Sequence, residues 1–347
     1  MCDGQFTKYI LEKCNKYENK EEYYMAARIV GTGSYAPENI VTNDYLATVM
    51  DTSDEWISSK TGIKERRISK SKEEGTVALA FQAAKRALEN AKTNAEEVDL
   101  IICATCSPDK FLPSTACEVQ TLLGAKNATC FDLSAACSGF MFALNTANAY
   151  INAGMAKTAV VIGAETLSKI MNWEDRSTCV LFGDGAGAAV VKKSEKPSIL
   201  AYVTGSDGSK GSVLECQARE VNNLFVKGED TIEYVTMDGK EVYKFAVTCV
   251  PNVINQLLLE SNTAAEDVKY FVLHQANKRI IESVAKRLHV PMEKFPINID
   301  RYANTSAATI PILLDELNQK DMLQKGNKIV IAGFGGGLTW GGALIEW

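Results

Sequence analysis

A cysteine and a histidine at the ends of predicted elements are the groups of this chain best suited to nucleophilic chemistry. Cys137 lies in the segment 132–140, among small residues and directly before the apolar stretch 140–151. Apolar residues on nearly every side of that stretch predict a helix buried on all faces, with Gly154 as its stop. Cys137 would then lie at the helix N-terminus, where unpaired N–H groups favour the nucleophilic thiolate. The competing interpretation is a packing cysteine, because free cysteine is among the most buried residue types.

The histidine lies at the end of a predicted strand. Residues 268–273 form an apolar run that ends at His274 and is followed by Gln-Ala-Asn and a predicted helix. Ligands of α/β sheets gather at the carboxyl ends of the strands, so this position favours a functional role. The alternative is a core histidine with satisfied hydrogen bonds. His289, late in an exposed-looking helix, is predicted to be a surface residue. With two histidines in the chain, a metal site built from several histidines is excluded, and we predict no metal.

Length, net charge and cysteine content limit the classes of protein to which the chain can belong. At 347 residues, and with about 150 residues per domain, the chain is long enough for two domains. A net charge of −6 argues against a nucleic-acid partner, which would favour a basic excess. We find no run of about 18 apolar residues and no secretion signal, so we expect no membrane span and a cytoplasmic location. The ten cysteines are then expected to be mostly reduced thiols.

An internal repeat indicates how these residues are positioned. The interval of 65 residues from Val98 to Gly163 recurs from Val268 to Gly333, and apolar strands begin both intervals. Repeats decide the fold, and this one predicts an α/β protein made of two similar halves, each a sheet with helices on its faces. A shift of 170 residues carries Cys137 to position 307, at the start of a predicted helix from about 306 to 319 and three residues after Asn304.

The domain prediction follows from the repeat and from a polar linker at 192–197. Residues 1–24 form an N-terminal extension, 25–194 a half that carries the nucleophilic cysteine, and 195–347 a half that carries the histidine and the asparagine.

Four shorter signals support this framework. The segment 52–57 looks like a capped helix start, and 75–92 is predicted to be an amphipathic helix. Gly31 and Gly33 lack the third glycine of a dinucleotide site, so we predict a tight turn there. The pair Cys103 and Cys106 is predicted to lie within a strand over 100–106, which favours buried thiols over a redox pair or a zinc site.

The chain resembles the β-ketoacyl-acyl-carrier-protein synthase III family of the thiolase superfamily, from about residue 25 to residue 347. The resemblance is carried by Gly-Thr-Gly-Ser-Tyr at 31–35, Thr-Ser-Asp-Glu-Trp at 52–56, Ser-Ala-Ala-Cys-Ser-Gly at 134–139, Phe-Gly-Asp-Gly-Ala at 182–186, His-Gln-Ala-Asn at 274–277, Asn-Thr-Ser-Ala-Ala at 304–308 and Gly-Phe-Gly-Gly-Gly-Leu-Thr-Trp-Gly at 333–341. Ala303 replaces the glycine that usually precedes the asparagine, and residues 209–233 are longer than the family norm.

The resemblance implies a thiolase-like layered αβαβα fold and a decarboxylative condensation that initiates fatty acid biosynthesis. Cys137 would take the acyl group of a short acyl-coenzyme A, such as acetyl-coenzyme A, and malonyl-acyl-carrier protein would then lose carbon dioxide and attack it. His274 and Asn304 would stabilise the enolate oxygen, each such donor being worth about 3–4 kcal/mol. The backbone N–H groups of Cys137 and Gly336 would form the oxyanion hole.

The resemblance also implies where the substrates bind. Trp56 and Arg176 match positions that hold the coenzyme A adenine between them, together with Asn277. The segment after the catalytic histidine would dock the carrier protein, through Gln275, Ala276, Asn277, Lys278 and Arg279. Lys286 and Arg287 extend this segment into a basic strip on one helix face. Leu112 matches a loop that reaches into the partner's acyl pocket, so we expect a homodimer, with no cofactor beyond the acyl-coenzyme A substrate.

Several alternatives stay open at this stage. A thiolase would need a second cysteine in the glycine loop, and residues 333–341 contain none; a plant-type polyketide synthase would carry a proline there. A related synthase of a specialised pathway remains the main alternative. A non-catalytic acyl-binding or carrier-binding module conflicts with the intact Cys-His-Asn set, and a nucleotide-binding α/β protein would rest on glycine turns alone.

Overall fold

The computed structural model describes residues 26–218, 220–228 and 233–347, so the predicted extension 1–24 lies outside the described residues. The strands are β1 Ala26–Tyr35, β2 Ile40–Thr42, β3 Glu65–Arg67, β4 Leu100–Ala104, β5 Thr129–Leu133, β6 Thr158–Thr166, β7 Asp184–Ser194, β8 Ile199–Ser206, β9 Leu214–Glu215, β10 Thr236–Met237, β11 Val268–Leu273, β12 Lys328–Gly335 and β13 Thr339–Glu346. The α-helices are α1 Asn43–Val49, α2 Asp54–Thr61, α3 Thr76–Asn90, α4 Thr115–Leu123, α5 Gly139–Asn152, α6 Gly239–Glu260, α7 Lys278–Leu288, α8 Ile299–Tyr302 and α9 Thr309–Gln319.

Two mixed sheets form the framework. The first has the strand order β1-β7-β6-β4-β5, in which β6, β4 and β5 run parallel and β7 pairs antiparallel with both its neighbours. The second has the order β11-β12-β13-β8, in which β11 and β12 are parallel and the other pairs are antiparallel. The protein is therefore α/β, as the sequence predicts.

The two sheets are separated by a layer of two helices. Side chains of α5 and α9 pack between the sheets in one apolar core that includes Phe140, Leu144 and Leu314. Strand β4 alternates across the first sheet, with Ile102 facing this core and Ile101 facing the outer helices α3 and α4. Helices α6 and α7 cover the outer face of the second sheet. The layers thus run helix, sheet, helix, sheet, helix, which confirms the thiolase-like αβαβα fold.

The predicted repeat is visible in the backbone. Helix α5 begins at Gly139 and α9 at Thr309, a shift of 170 residues, and a short 3₁₀ turn precedes each of them, Ala136–Ser138 and Ser306–Ala308. Ala136 and Ser306, which begin those turns, both have a positive φ, of 45° and 48°. The duplication therefore places Cys137 and the residues after Asn304 in equivalent turns at the centre of the molecule.

The expectation of a tight turn at Gly31 and Gly33 is wrong, and the polar linker is shorter than expected. Gly31 and Gly33 lie inside strand β1 and not in a tight turn. Helix α3 passes so close that a Cβ on Gly33 would lie 2.3 Å from the Ala87 nitrogen, so glycine is needed here for packing. The polar segment at 192–197 begins inside β7, which continues to Ser194 and leaves a shorter connection to β8.

The prediction for the cysteine pair is only half right. Strand β4 ends at Ala104, so Cys103 is buried within it whereas Cys106 lies beyond its end and is exposed. The Cys106 backbone N–H donates to the carboxylate of the buried Glu165, at 3.1 Å. The free N–H at the strand end is thereby satisfied, and the two thiols lie in different surroundings.

The predicted helices are confirmed, and one further helix, α6, is long and apolar. Ser53 caps α2 by accepting from the Trp56 N–H, and α3 spans most of the predicted segment 75–92. By length and composition alone, α6 could cross a bilayer, with 22 residues and a mean hydropathy of 1.2 over its best window. Its buried side chains, among them Ile254 and Leu257, pack on the second sheet, which accounts for its apolar composition.

Candidate active site

Cys137 occupies the 3₁₀ turn between β5 and α5, and the glycine loop after β12 is pressed against it. A Cβ built on Gly335 would lie 2.5 Å from the Cys137 nitrogen, so only glycine permits this approach. The Thr339 hydroxyl ties the two loops together, since it lies 2.7 Å from the Ser138 Oγ and 3.0 Å from the Gly336 carbonyl oxygen. The cysteine backbone is therefore held in place from both halves of the chain.

His274 directly follows β11 and is held on three sides. Its backbone N–H donates to the Ala332 carbonyl at 2.9 Å, and its Nδ1 lies 2.7 Å from the Thr309 hydroxyl. The ring stands edge-on to Phe334, with 5.5 Å between the centroids. With 2% of its surface exposed, the imidazole is fixed in the strand-end position that the sequence predicts.

Asn304 is oriented by its own loop. Its backbone bridges to the other half, because its N–H donates to Leu181 O and its carbonyl accepts from Gly183 N. The side-chain Oδ1 accepts from the Ser306 N–H at 2.8 Å. Because the oxygen is occupied in this way, the amide NH₂ is the part of the side chain free to donate to a substrate.

Cys137, His274 and Asn304 line one cavity of about 240 Å³. Gly333 lies between two of them, since a Cβ built there would lie 3.3 Å from His274 Cβ and 3.6 Å from the Cys137 carbonyl oxygen. The cavity extends past apolar side chains to Trp56 and Asn277 at its outer end. The structure therefore brings together the three residues predicted to be catalytic. Within the described ranges, no group of three or more His, Cys, Asp and Glu side chains could hold a metal ion.

The electrostatics of Cys137 differ from the sequence-based expectation of a thiolate. Burial raises the pKa of the Cys137 thiol from 9.0 to about 12, and the nearby Ser306 hydroxyl lowers it only in part. That rise corresponds to about 4 kcal/mol. A helix N-terminus stabilises an anion by at most about 2 kcal/mol, so it cannot offset the desolvation. At neutral pH the resting nucleophile is a thiol, and its attack requires a proton acceptor.

His274 lies in the same cavity as an uncharged imidazole. Burial lowers the pKa of the His274 imidazole from 6.5 to about 3, so the ring is uncharged at neutral pH. A neutral imidazole has one nitrogen that donates and one that accepts. The pair is therefore a thiol and a neutral imidazole in the resting protein, not an ion pair.

The residues predicted to hold coenzyme A lie together at the mouth of the cavity. The Arg176 guanidinium carbon lies 5.2 Å from the centre of the Trp56 ring, and Lys60 Nζ lies 4.9 Å from it. Arg176 also bonds to the Asp51 carboxylate, at 3.1 Å. An adenine between indole and guanidinium would require Arg176 to move away from the ring. Asn277 lines the same cavity, although both ends of its amide are engaged, with Arg279 N and Lys60 O.

The predicted docking segment divides into a buried part and an exposed part. Gln275 is 1% exposed, and its amide bonds to Leu273 O and Asn298 N, so the prediction that it contacts a carrier protein is wrong. It holds the histidine loop in place. Ala276 is half-buried and lines the cavity, whereas Lys278 and Arg279 are exposed at the start of α7. Arg279 also bonds to Ser59 O at 2.7 Å and so joins α7 to α2.

Two further predictions concern the oxyanion hole and the dimer loop. Gly336 follows β12 and lies near the turn that holds Cys137, since a Cβ built on it would lie 3.7 Å from Ala136 Cβ. The role of its N–H as an oxyanion donor stays a prediction. Leu112 is 86% exposed, and so is its neighbour Phe111, at 84%. Sequence analysis did not single out Phe111, although two adjacent large apolar residues in a polar loop are a signal for a covered surface.

Thr309 and Phe334 are the other residues that sequence analysis missed. Both touch the His274 ring, yet they come from α9 and β12, far from it in sequence. Phe334 lies in the motif at 333–341, but no local pattern indicates a contact with the histidine ring, because a threonine at a helix start and a phenylalanine in a buried strand are common.

Comparisons with known proteins agree with this geometry. The family model for 3-oxoacyl-[acyl-carrier-protein (ACP)] synthase III matches residues 131–208, and the model of its C-terminal part matches 258–347. The β-ketoacyl-[acyl-carrier-protein] synthase III of Clostridium novyi (strain NT) is 52% identical over 321 residues, which are 92% of this chain and 98% of that protein. The crystal structure of 3-oxoacyl-[acyl-carrier-protein] synthase III from Aquifex aeolicus VF5 is 47% identical, with a TM-score of 0.87, and the match covers 93% of this chain and 100% of that one.

A more distant structural neighbour belongs to a different pathway. The priming β-ketosynthase from the R1128 polyketide biosynthetic pathway is 34% identical, with a TM-score of 0.87, over 95% of this chain and 98% of that one. The layered fold and the cavity with cysteine, histidine and asparagine define a condensing enzyme of the thiolase-like class. Within that class, the chain belongs to the β-ketoacyl-acyl-carrier-protein synthase III family.

Proposed function

We propose that this protein condenses a short acyl-coenzyme A, such as acetyl-coenzyme A, with malonyl-acyl-carrier protein and so initiates fatty acid biosynthesis. The products are 3-oxoacyl-carrier protein, carbon dioxide and coenzyme A. One observation carries the proposal: a thiol, a neutral imidazole and an oriented amide share one buried cavity, with Cys137, His274 and Asn304 each held by fixed partners. No cofactor enters this chemistry.

The first step is acyl transfer to the cysteine. The Cys137 sulfur attacks the thioester carbonyl while its proton passes to an unprotonated His274 nitrogen, because the thiol pKa is too high for a free thiolate. The oxyanion that forms accepts hydrogen bonds from backbone N–H groups, and we assign these to Cys137 and Gly336. Collapse of this intermediate expels coenzyme A as a thiolate and leaves the acyl group on the Cys137 sulfur. The thiolate then takes one proton from the protonated His274 ring and becomes the thiol.

The second step is decarboxylation and condensation. Loss of carbon dioxide from the malonyl group generates the carbanion directly, so no strong base is needed. Its charge is delocalised onto the thioester oxygen, and the Asn304 amide and a His274 N–H donate to that oxygen. A neutral histidine suits this role because an imidazolium would lower the reactivity of the enolate toward the acyl-cysteine. The enolate carbon attacks the acyl-cysteine carbonyl, so a carbon–carbon bond forms as the carbon–sulfur bond breaks, and the Cys137 thiolate takes up one proton from solvent to return to the thiol.

The outer surface fits the two carriers of the substrates. We assign the adenine of coenzyme A to the space between Trp56 and Arg176, next to Asn277. For the carrier protein, we propose a basic surface on α7 formed by the exposed residues Lys278, Arg279, Lys286 and Arg287, with Ala276 and Asn277 at the cavity rim. Carrier proteins are acidic, and opposite charge increases the rate of encounter.

Charge reversal on α7 tests the docking assignment. Lys278→Glu is expected to raise the KM for malonyl-carrier protein about tenfold and to leave acylation by acetyl-coenzyme A unchanged, because its half-exposed ammonium pairs with the surface carboxylate of Glu282, at 3.8 Å. Steady-state kinetics over both substrates measures the split. Lys320→Glu, at another exposed lysine, is the matched control. Equal KM values for the two variants would contradict the docking site.

We also propose a cytoplasmic homodimer. The exposed pair Phe111 and Leu112 would be covered by a second copy, and the resemblance places Leu112 in the acyl pocket of that copy. Sedimentation of the protein at the mass of one chain would contradict this assembly.

A panel of primers tests the proposed reaction. With malonyl-carrier protein as the second substrate, we expect turnover with acetyl-coenzyme A and other short acyl-coenzyme A primers, and none in Cys137→Ala. Long acyl chains on carrier protein are expected to be poor primers, because a cavity of about 240 Å³ has little room for them. Equal or better use of the long primers would indicate an elongating synthase.

The similarity to a priming ketosynthase of a polyketide pathway supports a second candidate, a synthase of a specialised pathway. The higher identity to synthase III proteins favours the first candidate. The same panel separates the two, since preference for an unusual primer over acetyl-coenzyme A would favour the second.

A further inference from the structure

The hydroxyl of Thr309 is the hydrogen-bond partner of the His274 imidazole at Nδ1. Its Oγ1 lies 2.7 Å from His274 Nδ1, and both residues are almost fully buried. Thr309 is the first residue of α9, so one of the two helices between the sheets also fixes the position of this hydroxyl. A buried ring nitrogen needs such a partner, whether it carries a proton or a lone pair.

The hydroxyl has two possible directions for its single proton. It can donate to Ser306 O, 3.1 Å away, and then it accepts from a protonated Nδ1. Alternatively, it can donate to an unprotonated Nδ1. The second arrangement costs little, because Ser306 O already accepts from the Thr309 backbone N–H. Both neutral tautomers of His274 are thus satisfied at the same site without movement of any heavy atom.

We propose that Thr309 is a positioning residue that lets His274 use a different tautomer in each step of the proposed function, on which this inference rests. With Nδ1–H donating to Thr309, Nε2 presents a lone pair that can take the Cys137 proton during acylation. With Thr309 donating to Nδ1, Nε2–H faces the cavity and can donate to the enolate oxygen. A partner that only donates or only accepts would fix the ring in one of these states.

The protons balance over the first step. The thiol proton of Cys137 moves to Nε2 as the carbon–sulfur bond forms, and the ring then carries protons on both nitrogens. The coenzyme A thiolate that leaves takes up one proton, so the ring returns to neutral. When the proton lost from the ring is the one on Nδ1, exchanged through water, the Thr309 hydroxyl turns to donate, and Nε2–H is ready for decarboxylation.

Three substitutions separate this role from simple packing. Thr309→Val keeps the shape and removes the hydroxyl, Thr309→Ala removes it with less bulk, and Thr309→Ser retains it. We expect the valine and alanine variants to slow both acylation and malonyl decarboxylation by about tenfold or more, and the serine variant to stay within about threefold of the parent. Rates of valine and alanine variants within about threefold of the parent would overturn the proposal.

Nitrogen NMR of histidine-labelled protein measures the tautomer state of the His274 ring, which a change in packing alone would not alter. The chain has two histidines, so two ring spin systems are expected, and His289→Ala assigns them. In the parent, acetylation by acetyl-coenzyme A should shift the His274 tautomer population toward Nε2–H. Thr309→Val should change the His274 nitrogen shifts already in the free protein and leave His289 unchanged. A His274 tautomer that responds neither to acetylation nor to loss of the hydroxyl would overturn the proposal.

Different results would contradict the proposed function and the role of Thr309. A parent protein that takes no acetyl group from acetyl-coenzyme A would contradict the proposed function itself. A parent that is acetylated and condenses, while Thr309→Val matches it in both half-reactions, would contradict only the role of Thr309.

Discussion

Asn304→Ala is expected to stop malonyl decarboxylation while leaving acylation of Cys137 nearly unchanged. The Asn304 NH₂ points into the cavity because its Oδ1 is held by the Ser306 N–H, and it acts only when charge develops on the enolate oxygen. Loss of one preorganised donor of this kind costs on the order of 10²–10³ in rate. Acylation by acetyl-coenzyme A, followed separately by mass spectrometry, is expected to change by less than about threefold, because its oxyanion is assigned to backbone donors.

Asn304→Asp is the matched control for this substitution. The aspartate keeps an oxygen acceptor toward Ser306 N and so preserves the loop, but it replaces the donor with a second oxygen. It should lose decarboxylation at least as strongly as the alanine variant. Decarboxylation in Asn304→Asp at the rate of the parent would show that the amide does not stabilise the enolate.

His274→Ala is expected to impair both half-reactions, in contrast to the Asn304 variants. A positioned general base contributes on the order of 10²–10⁴ to acylation, and a lost donor to the enolate costs on the order of 10²–10³. His289→Ala, at the other, exposed histidine, should keep the parent's activity. Acylation of His274→Ala at the rate of the parent would contradict the assignment of His274 as proton acceptor. It would favour instead a Cys137 thiolate that forms without a base.

The pH profile provides an independent check on the same residue. Because burial lowers the pKa of His274 to about 3, its neutral form is present above that value and is lost only as the pH falls through it. The acylation rate of the free enzyme should therefore show no break near pH 6.5, the ordinary histidine pKa.

His274→Gln keeps an N–H donor but cannot accept the thiol proton, and it should recover part of the decarboxylation and none of the acylation.

The sequence predicts the fold, and the meeting of Cys137, His274 and Asn304 in one cavity, because these depend on long, periodic features. The repeat of 170 residues places Cys137 and the turn after Asn304 at equivalent helix starts, and an apolar strand leads directly to His274. Such patterns survive without any knowledge of long-range contacts.

The rest depends on contacts between distant segments. The protonation state of Cys137 could not be predicted from its position before α5, because burial raises the pKa of the thiol more than its hydrogen bonds, among them the one with the Ser306 hydroxyl, lower it. Gln275 looks like an exposed loop residue, yet its amide bonds inward to Asn298 N. Gly33 looks like a turn glycine, yet it allows α3 to pack on β1.

The central claim is that Cys137 carries the acyl group, and it can be tested in one measurement. The protein is incubated with acetyl-coenzyme A in the absence of malonyl-carrier protein, and its intact mass and peptide map are recorded. We expect a gain of one acetyl group on the peptide that contains Cys137, and no gain in Cys137→Ala. An unmodified Cys137 after prolonged incubation, or an acetyl group that still appears in Cys137→Ala, would contradict it.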